Sequence, residues 1–327
     1  MQTTSQAAVS IIVPAYNEAE RLPLCINNIL SQTYESIELI IVDDGSTDST
    51  KDVVSDLAKT NARIRPLLLS HRGELRAKLA GIEAATGKYI GFVDADDEVE
   101  KTMYEELVDL SERHQADVVH CGYQQILPNK KCELYWGTNK IVQQDRAAAM
   151  KQLLSFKHIE MWSTNTKLFK KGLFTREVIE RLNSLQTTLD EDMLMNFFFL
   201  KMANRIISYD KCLYHYRIRR DSTSYKVTTQ ERIFERLYAR ELIALESESE
   251  YKNDAIRFFL YTGMRTYNKL HLKLGINNTY CIRIREMLSK HREWFEVLDE
   301  VNRKKAELMV DEPLVYAKIQ LYLQKEK

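Results

Sequence analysis

The first half of the chain alternates short apolar runs with segments whose apolar positions recur every three or four residues. The runs at 9–13, 37–42, 64–69 and 88–93 carry too few polar residues to be half-exposed, so they read as buried strands. Between the first two, Leu22, Ile26, Ile29 and Leu30 keep helical spacing, and Pro23 suits the opening turn of a helix. Val53, Val54 and Leu57 mark a second helix that Ser46 or Asp48 can cap, and residues 74–85 mark a third. A further helix is expected over about 101–114, and a further strand over 117–123. Apolar strands alternating with helices predict an α/β class, a mostly parallel sheet flanked by helices.

From about residue 130 the alternation stops. Asp190-Glu191-Asp192 opens an apolar run over 193–202, and a short strand pair is expected at 206–209 and 213–217. From residue 228 the pattern is helical to the end, with Ile233, Leu237 and Leu242 on one face and Phe259, Tyr267 and Leu270 on another. The expected division is a first domain over 1–225, with halves at about 1–125 and 126–225, and a helical C-terminal extension over 226–327.

The 327 residues carry zero net charge, so composition points to no nucleic-acid partner. No run approaches the ~18 apolar residues that span a bilayer. The polar N-terminus lacks the pattern of a secretory signal. Five scattered cysteines (Cys25, Cys121, Cys132, Cys212 and Cys281) form no CxxC pair, which argues for reduced thiols and a cytoplasmic location.

Acidic residues gather where strands end. Asp43-Asp44 follows the second strand, and Asp94-Ala95-Asp96-Asp97 follows the fourth. In open α/β sheets ligands bind outside the carboxyl ends of the strands. Carboxylates crowded there repel one another unless water, hydrogen-bond donors or a cation offset them. Hard oxygen ligands suit magnesium or manganese shared with a phosphate group. A solvated acidic turn capping the next helix fits the same residues. Asp190-Glu191-Asp192 reads either as a third functional cluster or as an acidic helix start stabilised by the macrodipole. His71, Arg72, Arg76 and Lys78 follow the third strand and could neutralise a diphosphate or form a solvated helix start.

These segments carry a resemblance. Residues 9–18 (VSIIVPAYNE), 31–34 (SQTY), 42–48 (VDDGSTD) and 86–97 (TGKYIGFVDADD) resemble the opening motifs and the DxD motif of glycosyltransferase family 2. Glu191-Asp192 is similar to its later acidic motif, and residues 213–217 and 222–224 to the segment that closes its catalytic domain. The resemblance covers about the first 225 residues. It implies a GT-A (nucleotide-diphospho-sugar transferase) fold, with a nucleotide-binding half and an acceptor-side half. It implies inverting transfer of one hexose or N-acetylhexosamine from a nucleotide sugar, UDP-linked by preference, to a glycan, lipid-linked or protein acceptor in bacterial surface polysaccharide synthesis. Pro14, Tyr16 and Asp44 would frame the base, with Glu18 nearby. Arg72 and Lys78 would meet the diphosphate. Asp94 and Ala95 would lie by the ribose and diphosphate, and Asp96 would hold Mn2+ or Mg2+. Asp192 would be the general base, with Glu191 the second candidate.

The chain also departs from the family pattern. Lys78-Leu79 replaces a frequent Arg-Asn, Asp190 a frequent Gly, and Asn165-Thr166 a frequent Trp-Asn. The Gln-x-x-Arg-Trp motif of processive synthases is absent, which implies one sugar per acceptor. An Asp-based phosphatase, a sugar-phosphate nucleotidyltransferase and an impaired nucleotide-sugar-binding module are the competing readings. The first normally places its DxD strand first in the domain, and the second usually carries a Gly-rich loop after strand one. Here residues 15–21 hold no glycine.

Between Lys252 and Arg292 nine Lys or Arg face two acids, and Arg257, Arg265, Lys269 and Lys273 fall at multiples of four. Such a face suits peripheral contact with the inner surface of a membrane. A solvated bundle face or a homodimer interface is the alternative.

Overall fold

The computed structural model describes residues 8–127, 132–135, 138–185, 190–218 and 230–325. Residues 222–224 of the expected closing segment lie outside them. The chain divides into two compact units, one of residues 1–153 and 157–226, the other of residues 154–156 and 227–327.

In the first unit β1 (Val9–Ala15), β2 (Ile37–Asp43), β3 (Ile64–Leu68) and β4 (Tyr89–Phe92) are parallel neighbours in the order β3-β2-β1-β4. They are joined by α1 (Leu22–Leu30), α2 (Thr50–Thr60) and α3 (Glu74–Ala84). β1 and β2 are almost wholly buried because helices cover both sheet faces, and β-branched Val and Ile pack well on a pleated surface. Each fully buried Val, Leu or Ile contributes about 1.5–3 kcal/mol of transfer free energy.

Beyond β4 the sheet becomes mixed. A two-residue strand β5 (Glu98–Val99) and α4 (Met103–His114) lead to β6 (Val118–Ile126). Then come β7 (Cys132–Tyr135), β8 (Ile141–Gln144), α5 (Arg146–Leu153), a 3₁₀ turn at Ile159–Trp162 and β9 (Lys167–Lys170). β9 inserts antiparallel between β4 and β6, so the parallel half ends there. α6 (Arg176–Ser184) and α7 (Glu191–Met202) precede β10. Where sequence predicts two short strands, β10 is one strand, Ile206–Arg217. It runs parallel to β6 and absorbs the expected break as register shifts around Cys212.

The second unit holds α8 (Gln230–Glu246), α9 (Lys252–Leu274), α10 (Thr279–Lys290), α11 (Glu300–Asp311) and α12 (Pro313–Lys325). Phe258, Phe259, Leu260, Tyr267 and Leu270 form the buried face of α9. Arg257 and Arg265 of its basic face have internal partners: Arg257 donates to Val297 O and pairs with Asp254, and the Arg265 guanidinium sits 4.1 Å over the Phe156 ring. Lys269 and Lys273 are exposed. Among the described residues no helix is long and apolar enough to cross a membrane.

Candidate active site

The parallel register aligns the carboxyl ends of β1, β2 and β4, so Tyr16, Asp44 and Asp94 leave the sheet side by side. The Asp44 carboxylate is buried and accepts the N–H groups of Arg72 at 2.9 Å and Gly73 at 2.8 Å. Its Oδ2 also lies 2.8 Å from His71 Nδ1. Two glycines permit this approach. Gly73 turns at φ 93°, and a Cβ on Gly45 (φ 71°) would meet His71 N at 2.5 Å. The Tyr16 ring, half exposed, stacks on His71 with centroids 4.2 Å apart.

Asn17, which sequence reasoning left unassigned, ties these loops together. It adopts a left-handed φ of 56°, and its Oδ1 accepts from the Thr47 N–H at 2.8 Å and from the Asp48 N–H at 3.3 Å. Glu18 donates its N–H to Thr50 Oγ1 and pairs with Arg21. Pro14, within β1, is partly exposed. Arg72 is exposed and lines a cavity of about 250 Å³ together with Asp44 and Arg76. Arg76 donates to the carbonyls of Leu182 and Leu185, so it holds the end of α6.

A larger cavity, about 420 Å³, lies nearby within the same unit. Asp94, Asp97, Glu74, Asp190, Glu191 and Asp192 line it, together with Tyr123, Trp162, Tyr214 and Tyr216. Asp97 anchors the acidic turn. Its Oδ2 accepts from Tyr214 Oη at 2.6 Å, and its Oδ1 from the Arg217 N–H at 2.8 Å. The Ala95 side chain packs into the hydrophobic core. Asp96 is partly exposed and lies outside the set of residues lining this cavity. Asp94 Oδ1 is buried without a hydrogen-bond partner. Burial first, and then the charges of Glu74, Asp97 and Asp192 against that of Lys78, hold the Asp94 carboxyl well above the usual carboxylate range.

Lys78 is fully buried, away from the open position expected of a diphosphate contact. Its Nζ lies 2.8 Å from Asp192 Oδ1 and 2.7 Å from Glu74 Oε1. Its i,i+4 spacing from Glu74 is readable in sequence; the link to Asp192 on α7 is not. Thr164, fully buried, donates its Oγ1 proton to Asp192 Oδ1 at 2.6 Å. Burial alone would raise the Asp192 carboxyl, but the Lys78 charge and hydrogen bonds from Lys78 and Thr164 outweigh it and hold the group below its ordinary value. Glu191 is pushed up to about 8 by burial first, then by Glu74 and Asp192, with Lys78 opposing. One carboxyl of this adjacent pair is therefore a stable anion, and the other retains its proton near neutrality.

The donor set suits a hard divalent cation. Lys78 is the counter-charge to Glu74 and Asp192, the Asp94 Oδ1 is left without a hydrogen-bond partner, and Asp96 lies partly exposed on the same turn as Asp94. Among the described residues no group of three or more His, Cys, Asp or Glu could hold a metal alone. A cation here would take one or two carboxylates and fill its shell with diphosphate and water oxygens.

The sequence profile described as Glycosyl transferase family 2 matches residues 10–173, half of the chain. The chain belongs to glycosyltransferase family 2. It is 34% identical over 214 residues to EpsJ of Bacillus subtilis, an uncharacterized glycosyltransferase, covering 64% of this chain and 60% of EpsJ. The family 2 chain thus spans about three fifths of that relative. Its fold is GT-A. TarS residues 1–349 of S. aureus in complex with UDP-GlcNAc match with a TM-score of 0.66 at 17% identity, over 92% of this chain and 86% of that one. The mannosyltransferase PcManGT of Pyrobaculum calidifontis, in complex with GDP-Man and Mn2+, matches with a TM-score of 0.53 at 18% identity, over 97% and 87%.

Proposed function

We propose that this family 2 chain is an inverting glycosyltransferase that moves one hexose or N-acetylhexosamine from a UDP-sugar to a hydroxyl of a sugar-bearing acceptor. The observation that carries the reading is one cavity lined by Asp94, whose Oδ1 has no hydrogen-bond partner, and by the Asp192–Glu191 pair. Both features arise from the carboxyl-end side of the sheet, where α/β folds bind ligands. The named complexes of TarS with UDP-GlcNAc and PcManGT with GDP-Man and Mn2+ support a nucleotide-sugar donor and a divalent cation.

Pro14, Tyr16 and Asp44 frame the base, with Tyr16 offering a ring face and Asp44 the lone pairs left by its backbone donors. Glu18 braces that loop, and Arg72 is placed to approach the diphosphate. Asp94 and the Ala95 backbone border the ribose and diphosphate, and Asp96 ligates the cation. When bound, Mn2+ or Mg2+ offsets the charge that develops on the leaving diphosphate. Asp192 accepts the proton of the acceptor hydroxyl as its oxygen bonds to the anomeric carbon. The bond from that carbon to the diphosphate breaks, and its electron pair leaves with UDP. Attack opposite the leaving group inverts the anomeric centre, as in inverting glycosidases. The ring faces of Tyr123, Trp162 and Tyr216 suit a sugar acceptor.

A panel of UDP-, GDP- and dTDP-sugars, incubated with Mn2+ and assayed for nucleoside diphosphate release, tests the assignment. UDP should appear from one UDP-sugar and vanish in Asp96→Asn. No release from any donor, with phosphate freed from sugar phosphates instead, would mark a phosphatase.

A further inference from the structure

Asp192 is gripped from two elements remote from it in sequence. From α3, Lys78 Nζ donates to its Oδ1 at 2.8 Å. From the segment before β9, Thr164 Oγ1 donates to the same oxygen at 2.6 Å. Oδ2 accepts the Thr164 N–H at 3.4 Å, a longer and weaker bond than either on Oδ1.

The Thr164 segment is itself fixed. Lys167, fully buried, donates its Nζ to the carbonyls of Met161 and Ser163. Asn196, one turn beyond Asp192 on α7, donates its Nδ2 to Trp162 O at 2.7 Å. The helix start and the 3₁₀ turn are therefore cross-linked at two levels. A buried lysine at this position would be costly without a job for its charge.

We propose that Lys78 and Thr164 are positioning residues for Asp192: they hold its Oδ1 in a two-donor clamp, fix the carboxylate's rotamer, and leave Oδ2 as the oxygen that receives the acceptor proton. The inference rests on the proposed transferase reading and assigns the base's orientation within it. The titratable groups sharing this cavity with Asp192, or packed against it, are Lys78 and Glu74 from α3, Asp94 and Asp97 from the turn after β4, and Asp190 and Glu191 at the start of α7. Lys78 is the cation of this described set. Without it, Asp192 would face those carboxylates alone, and its proton affinity would rise as that of Glu191 does. A retained proton would leave no base at neutral pH.

The test needs no substrate. Aspartate side-chain carboxyls are labelled with 13C in the full chain, and the Asp192 resonance is assigned by its loss in Asp192→Asn. In the wild type this carboxylate should stay ionised well into acid. In Lys78→Met its titration midpoint should rise by about one pH unit or more, and Lys78→Arg, which keeps the charge, should reverse most of that rise. Should Lys78→Met fail to fold, Thr164→Val carries the test: a smaller upward shift is expected, because a neutral donor is lost. A Lys78→Met titration superimposable on the wild type in a folded protein would overturn the clamp, as would an unshifted Thr164→Val. A raised midpoint together with no sugar-nucleotide turnover in the wild type would leave the clamp standing and sink only the transferase reading.

Discussion

Glu191 and Asp192 are neighbours with opposite fates. Asp192 meets two donors, while Glu191 meets burial and like charge. An unfolded glutamate titrates near its ordinary 4.5, so the unfolded chain sheds this proton well before the folded one does. The folded state therefore loses stability as pH rises through that interval, fully present below it and gone above about 8. Glu191→Gln cannot ionise, so its urea midpoint should exceed that of the wild type at about pH 8 and match it at about pH 4. Equal midpoints at both values would mean that Glu191 titrates as if in water. Sequence could identify these two carboxylates as candidates. The family resemblance ranked Asp192 first as the base, but no local pattern shows what separates the pair, because Lys78 and Thr164, which do so, come from distant segments.

At the scale of elements, loops were harder to read than strands. The acidic turn after β4 was visible as a charge cluster, but the part of Asp97 in it depends on a partner strand more than a hundred residues away. Asp190 holds a left-handed φ of 56° at the start of α7, which explains in physical terms why a glycine suits that position. Gly45 is the sharper case. It combines positive φ with a 2.5 Å approach to the His71 backbone, and a Cβ there has nowhere to go. Gly45→Ala should lower the thermal midpoint by several degrees, through a loss of about 2 kcal/mol or more, and weaken UDP binding because the loop bearing Asp44 must move. An unchanged midpoint measured by calorimetry would show that the loop yields freely.

Across the whole molecule, the parallel half of the sheet and the helical extension were legible because period and run length report burial directly. The mixed half was not. β9 and β10 owe their places to pairing with β4 and β6, and no local pattern states that an antiparallel strand will insert between them. On the basic face of α9, internal packing accounts for Arg257 and Arg265, which lessens what remains for an outside partner to explain.

The central claim is that one cavity joins a nucleotide-sugar site to a carboxylate that takes the acceptor proton. Comparing Asp192→Asn with the wild type tests it most directly, by pairing UDP affinity from calorimetry with the initial rate of Mn2+-dependent UDP release from the preferred UDP-sugar. The account predicts UDP affinity within about twofold and a rate lowered about 10²–10⁴-fold, the range for a lost general base. A wild-type rate in Asp192→Asn, or a loss of UDP affinity as large as the loss of rate, would contradict it.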